Sequence, residues 1–164
     1  VDIAAEGLDF AIRFGDGAWH GTDAERLFAA PLSVLCIPEI AERLREPADL
    51  HRETLLRSYR ADEWPSWFAA AGAPVPTIKG PVFDSSRTMV EAAILGAGVA
   101  LAPPLMFERQ LAAGVVQQPF TTTITQGSYW LTWLKSAAMT PGMRSFHAWI
   151  HAASQPYAET SDTN

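Results

Sequence analysis

The chain has 164 residues, 48% apolar and 18% charged, a balance that supports a hydrophobic core and excludes a wholly disordered chain. Its net charge of −6 argues against a nucleic-acid or anionic-membrane surface on these residues, because phosphate binding needs clustered Lys and Arg. A single cysteine excludes an intrachain disulfide, no stretch reaches the ~18 uninterrupted apolar residues of a membrane span, and no basic segment precedes an apolar one at the N-terminus, so a cytoplasmic location is expected.

In chain order, Leu8, Phe10 and Ile12 alternate ahead of Gly15-Asp16-Gly17, which predicts a strand ending in a turn with Arg13 near its end. Ala30–Glu39 reads as a second strand, and Pro38 opens a short amphipathic helix that stops before Pro47. The basic run from Arg43 to Arg60 is interleaved with Glu42, Glu46, Asp49, Glu53 and Asp62, the pattern of a solvated face. Thr54–Arg60 is a predicted strand and Asp62–Gly72 a helix, with Pro65 in its first turn and Gly72 as its stop. Three prolines between Ala73 and Pro81 mark a loop or edge segment.

The stretch "VFDSSRTMVEAAILGAGVALAPP" predicts strand, helix and strand, followed by a helix over 105–114 and a short strand over 115–120. "SYWLTWLK", Ser128–Lys135, alternates as a strand does, with Tyr129, Leu131 and Trp133 on one face. A last helix carries Phe146, Trp149 and Ile150 at helical spacing, and residues 155–164 are expected to be a disordered tail. Strands alternating with helices throughout imply an α/β fold with largely parallel sheets.

Gly96-Ala97-Gly98 does not have the order of a nucleotide cradle, since such glycines follow a strand and open a helix, whereas these end a helix and precede a strand. A helix stop with positive φ explains them. Ser85 and Ser86 instead sit where a strand gives way to a helix, and the first helical N–H groups lack intrahelical partners. One serine can cap the helix while the other faces a ligand, with Thr88-x-x-Glu91 as a competing capping box.

His147 and His151 share a helix face at metal-ligand spacing, but no glutamate lies between them as metalloprotease chemistry requires, and no metal is expected. His20 and His51 read as surface residues, and Cys36, within "LSVLCIPE", as a buried structural thiol. The clusters Trp64, Trp67, Phe68 and Tyr129, Trp130, Trp133 suit core packing or a stacking platform. There is no Gly-x-Ser-x-Gly elbow, no Ser-x-x-Lys and no glycine-rich loop with Lys-Ser or Lys-Thr, so no enzyme, catalytic residue or cofactor is expected.

The ordered set "GLDFAIRFGDG", "PLSVLCIPEIAERL", "LLRSYR", "FDSSRTMVEAAILGAGVALAPPLMFERQLAAG" and "VVQQPF" resembles the effector-binding domain of the LysR-type transcriptional regulators, from Val1 to about Ser154. Within that family, "VDIAAEGLDFAIRFGDGAWHGTDA", "LLRSYRADEW", "VFDSSRTMVEAA" and "GSYW" are most similar to the muropeptide-responsive regulators of chromosomal class C β-lactamase expression. The resemblance implies two Rossmann-like lobes with a cleft between them, like a periplasmic binding protein: residues 1–30 plus 130–154 in lobe one and 31–129 in lobe two. It implies that Ser86 and Tyr129 contact the effector, with Ser85 a weaker neighbour, and that Asp2 helps to set the resting state.

The implied effectors are UDP-muramyl pentapeptide and an anhydro-muropeptide. DNA would be bound only through a helix-turn-helix outside this chain, with no membrane involved and a homo-oligomer as the working assembly. The chain begins at Val1, and the first strand-helix-strand of lobe one is also expected to lie outside it. The alternatives are the same scaffold sensing a small aromatic acid or amino acid, or a solute-binding receptor.

Overall fold

A computed structural model describes residues 2–159. Its strands are β1 (Ala11–Gly15), β2 (Thr22–Ala29), β3 (Ser33–Leu35), β4 (Arg57–Ser58), β5 (Val82–Phe83), β6 (Ala100–Ala102) and β7 (Ser128–Leu134). The helices are α1 (Pro38–Ala41), α2 (Glu63–Ala70), α3 (Ser86–Ile94), α4 (Glu108–Ala112) and α5 (Pro141–Glu159), with 3-10 turns at Pro47–Arg52 and Pro104–Phe107. The chain divides into two compact units, Val1–Ala30 with Thr125–Asn164, and Pro31–Ile124. Tyr129 therefore lies in the first unit, not at the end of the second as expected.

The first unit is a three-stranded sheet in the order β1-β7-β2, with α5 packed on β2. β7 inserts between β1 and β2 and runs antiparallel to both, which corrects the expectation of largely parallel pairing. The reason is non-local: the strand that separates β1 from β2 arrives about a hundred residues later, and local alternation carries no sign of it. β2 itself was not anticipated. Its Asp23, Glu25 and Arg26 conceal a strand whose apolar residues Leu27 and Ala29 are buried while the charged ones remain half-buried or exposed.

In the second unit, β3 and β6 pair antiparallel, β4 and β5 pair parallel, and a parallel bridge joins Leu55 to Val99. Neighbouring residues on these strands feed opposite cores, as the two-residue period of a strand requires. Val34, Leu55, Val99 and Leu101 pack with Trp64, Trp67 and Phe68 of α2. Leu35, Leu56, Ala100 and Ala102 pack with Met89, Val90 and Ala93 of α3. The backbone is thus covered on both faces, which explains why "LSVLCI" and "GVALA" read as continuous apolar runs.

The chain from Thr54 to Arg57 is held tightly. Val99 N–H donates to Thr54 O at 2.8 Å and Arg57 N–H to Pro81 O at 2.9 Å. A Cβ at Gly98 would fall 2.2 Å from Thr54 O, and one at Gly80 would fall 1.8 Å from Leu55 O, so a side chain at either position meets backbone. Two further expectations fail locally. Residues 115–120 form no strand, only a bridge between Gln117 and Cys36, and residues 155–159 are helical, continuing α5 to Glu159; residues 160–164 of the expected tail lie outside the described residues.

Candidate functional site

The start of α3 resolves the two serines. Ser85 is the N-cap, in extended conformation (φ −142°, ψ 139°), and its Oγ accepts the Thr88 N–H at 3.3 Å, while Thr88 Oγ1 donates back to Ser85 O at 3.0 Å. That satisfies one of the orphan donors of the first turn. The Thr88-x-x-Glu91 box does not form, because Thr88 lies inside the helix and Glu91 pairs with Arg87 at 3.1 Å. Ser86 is the first helical residue and half-buried, and among the described residues its hydroxyl has no hydrogen-bond partner. Ser85 is committed to the backbone; Ser86 is the one left to meet something else.

The far end of α3 answers the glycine question. Gly96 N–H donates to Ala93 O at 2.9 Å and Ala97 N–H to Ala92 O at 3.0 Å, with Gly96 at φ +80°, the paired bonds of a Schellman stop. These N–H groups are occupied by the helix's own carbonyls, so none of them is offered to a phosphate.

Tyr129 and Asp2 belong to the other unit. Tyr129 sits opposite Phe14 on β1 and Phe28 on β2, with ring centroids 5.3 and 5.4 Å away, so three aromatic rings cross the sheet in a row. Asp2 is exposed, and its Oδ1 accepts the N–H groups of Ala4 and Ala5, each at 3.1 Å, while its own N–H donates to Glu6 Oε1 at 3.3 Å. Its visible work is to close the turn that follows.

The remaining candidates have structural employment. His147 Nε2 lies 2.6 Å from Glu25 Oε2 and His151 Nδ1 2.5 Å from Glu25 Oε1, which pins α5 to β2; among the described residues no group of three or more His, Cys, Asp or Glu is arranged to hold a metal ion. Cys36 is fully buried, and burial, followed by the nearby Glu53, pushes its thiol up to about 12, which leaves it without thiolate character at neutral pH. Trp64 and Trp67 are buried with their indole N–H groups donating to Leu56 O (2.8 Å) and Thr122 O (3.0 Å), so they are core and not a stacking platform.

The basic run is largely paired, with Arg43 on Glu53 (2.6 and 2.9 Å), Arg52 on Asp49 (3.8 Å) and Arg60 on Glu63 (3.7 Å). Arg57 was not singled out by the sequence. A cation near the end of an apolar strand, in "LLRSYR", was the available signal.

The family model described as the LysR substrate binding domain matches residues 1–155. The chain is 60% identical over 152 residues to the HTH-type transcriptional activator AmpR of Pseudomonas aeruginosa, covering 92% of this chain and 51% of that protein. It thus spans about half the length of the curated relatives it matches. Among solved structures, the effector domain of AmpR from Pseudomonas aeruginosa superposes with a TM-score of 0.95 at 56% identity, over 100% of this chain and 80% of that one. An effector binding domain from Citrobacter freundii containing three substitutions superposes at 0.89 with 49% identity, over 94% and 79%. Those substitutions replace a threonine, a serine and a tyrosine by residues lacking the hydroxyl. The relatives bear the names of transcriptional regulators and not of enzymes.

Proposed function

Because the chain belongs to the LysR substrate-binding-domain family, we propose that it is the effector-sensing part of a cytoplasmic regulator of β-lactamase expression, and that its effectors are cell-wall muropeptides. DNA contact is assigned to a helix-turn-helix outside this chain, consistent with the net charge of −6 here, and the working assembly is a homo-oligomer. The observation that carries the proposal is Ser86: a partnerless, half-buried hydroxyl on the first turn of a helix, at the carboxyl end of β5, where open α/β sheets receive ligands. Tyr129 of β7 is the second residue that we propose as an effector contact. The hydroxyl-deleting serine and tyrosine substitutions in the solved relative support this pair of residue types.

A muropeptide would act by binding one arrangement of the regulator more tightly than another, since equal affinity for both shifts nothing. UDP-muramyl pentapeptide and an anhydro-muropeptide then oppose each other only if each prefers a different arrangement. Calorimetric titration of the intact protein with UDP-muramyl pentapeptide is the test. Binding is expected, and Ser86→Ala or Tyr129→Phe should each weaken it by a factor of about five to ten, the worth of one hydrogen bond, at unchanged melting temperature. No heat of binding from folded protein discards the muropeptide; unchanged affinity in both variants discards the two contacts.

A further inference from the structure

Beside β4, at its carboxyl end, and against the start of β5 lies a pocket of about 440 Å³ whose walls include Arg57, Tyr59, Arg60, Ile78 and Val82. The strands are parallel, with Arg57 beside Val82 and Ser58 beside Phe83, so the segments leading on to Tyr59 and to Ser85 leave the sheet at one edge. The two arginines differ in occupation. Arg60 is engaged: Nη1 lies 3.7 Å from Glu63 Oε1 and its guanidinium is stacked 4.6 Å over Tyr59. Its backbone N–H donates to Ser58 Oγ at 3.0 Å, and that hydroxyl donates to Glu63 Oε2 at 2.6 Å.

Arg57 is half-buried and donates through Nε to Gly80 O at 2.7 Å; among the described residues no carboxylate pairs with it, and its Nη groups have no protein partner. These Nη groups are not among the buried unsatisfied atoms of the described residues, so they stay open to the pocket and its solvent, with donors available to a ligand. Its planar fork matches the two oxygens of a carboxylate. Ile78, Val82 and the Tyr59 ring beside it suit a small apolar side chain.

We propose that this pocket receives the carboxylate of a peptide segment, held by Arg57, with the adjoining side chain against Tyr59 and Val82. The proposal rests on the muropeptide reading above and assigns the peptide stem, not the nucleotide, to this edge of the unit.

The test uses the intact protein, the variants Arg57→Gln and Arg57→Lys, and three probes: UDP-muramyl pentapeptide, uridine diphosphate, and N-acetyl-alanyl-alanine as free acid and as amide. Arg57→Gln should weaken UDP-muramyl pentapeptide about tenfold or more while leaving uridine diphosphate unaffected, and Arg57→Lys should recover part of the loss. In NMR titrations of the parent, the free dipeptide acid should move the Arg57 Nε–H and Tyr59 ring signals, and the amide should not. This second measurement decides the matter even where a variant fails to fold.

Equal affinity of parent and Arg57→Gln for UDP-muramyl pentapeptide overturns the proposal, as does an equal response to acid and amide. A loss confined to uridine diphosphate would assign the anion to a phosphate and overturn it too. If the parent ignores UDP-muramyl pentapeptide altogether, the muropeptide reading falls, and the acid–amide contrast alone judges the pocket.

Discussion

In the unit Pro31–Ile124, Trp64, Trp67 and Phe68 are stacked edge to face and almost wholly buried beneath a sheet whose other side is filled by Met89, Val90 and Ala93. In the unit formed by Val1–Ala30 and Thr125–Asn164, Phe146, Trp149 and Tyr157 of α5 remain 39%, 61% and 40% exposed, and the helix is fastened by Phe146 tilted against Phe10, by the His147 ring edge-on to Trp133, and by His147 and His151 on Glu25. The first arrangement concentrates stability in a few side chains with no space around them. The second spreads it over contacts that water can reach, where each is worth little.

The sharpest way to break this contrast is to remove one ring from each unit. Trp67→Ala should lower stability by about 3–5 kcal/mol, read as a shifted urea midpoint, because it leaves a cavity between two covered layers. Trp149→Ala should cost less than about 0.5 kcal/mol. Comparable losses would abolish the distinction.

A second, intermediate probe is the buried carboxylate. Burial raises the pKa of Glu63 above the ordinary glutamate value, against the opposing hydrogen bond from Ser58. A raised folded value means that Glu63 contributes fully while protonated, below the unfolded value of about 4.3, and that this contribution is lost as pH rises through the folded value. The melting temperature of Glu63→Gln should lack that decline, and an identical pH profile in parent and variant would refute the assignment. A modest effect is expected at Glu25. Its pairs with two histidines are partly solvated, so Glu25→Gln should cost under about 1 kcal/mol and show chiefly as faster hydrogen exchange in α5. Exchange confined to other elements would contradict the pinning role.

What the sequence made legible follows the same division. α2, α3 and the Gly96 stop were readable because their signals are local: a capping serine, helical apolar spacing, and glycines after the helix instead of before it. The antiparallel sheet of the first unit was not, because the place of β7 between β1 and β2 is fixed by pairing across more than a hundred residues. β2 was missed for the opposite reason: Glu25 is charged because its partners are histidines on α5, a tertiary fact written as a solvent-like residue.

At the candidate site, Ser85 and Ser86 were both visible, but only geometry separates them, by spending one hydroxyl on Thr88 N–H. Arg57 looked like one more member of a charged run, and the missing carboxylate beside it is a property of space that no linear pattern records.

The close approach of Gly80 to Leu55 O and of Gly98 to Thr54 O has a kinetic consequence for whatever meets Arg57. A strand bonded on both sides, with no room for even a methyl group at those two points, does not need to fold around its guest. Ordering a backbone residue costs about 1–2 kcal/mol, and here that cost falls on folding instead of on association. A ligand docking at this wall should therefore arrive in a single step, with its residence time set by how firmly the guanidinium fork holds it and not by the closing of a loop.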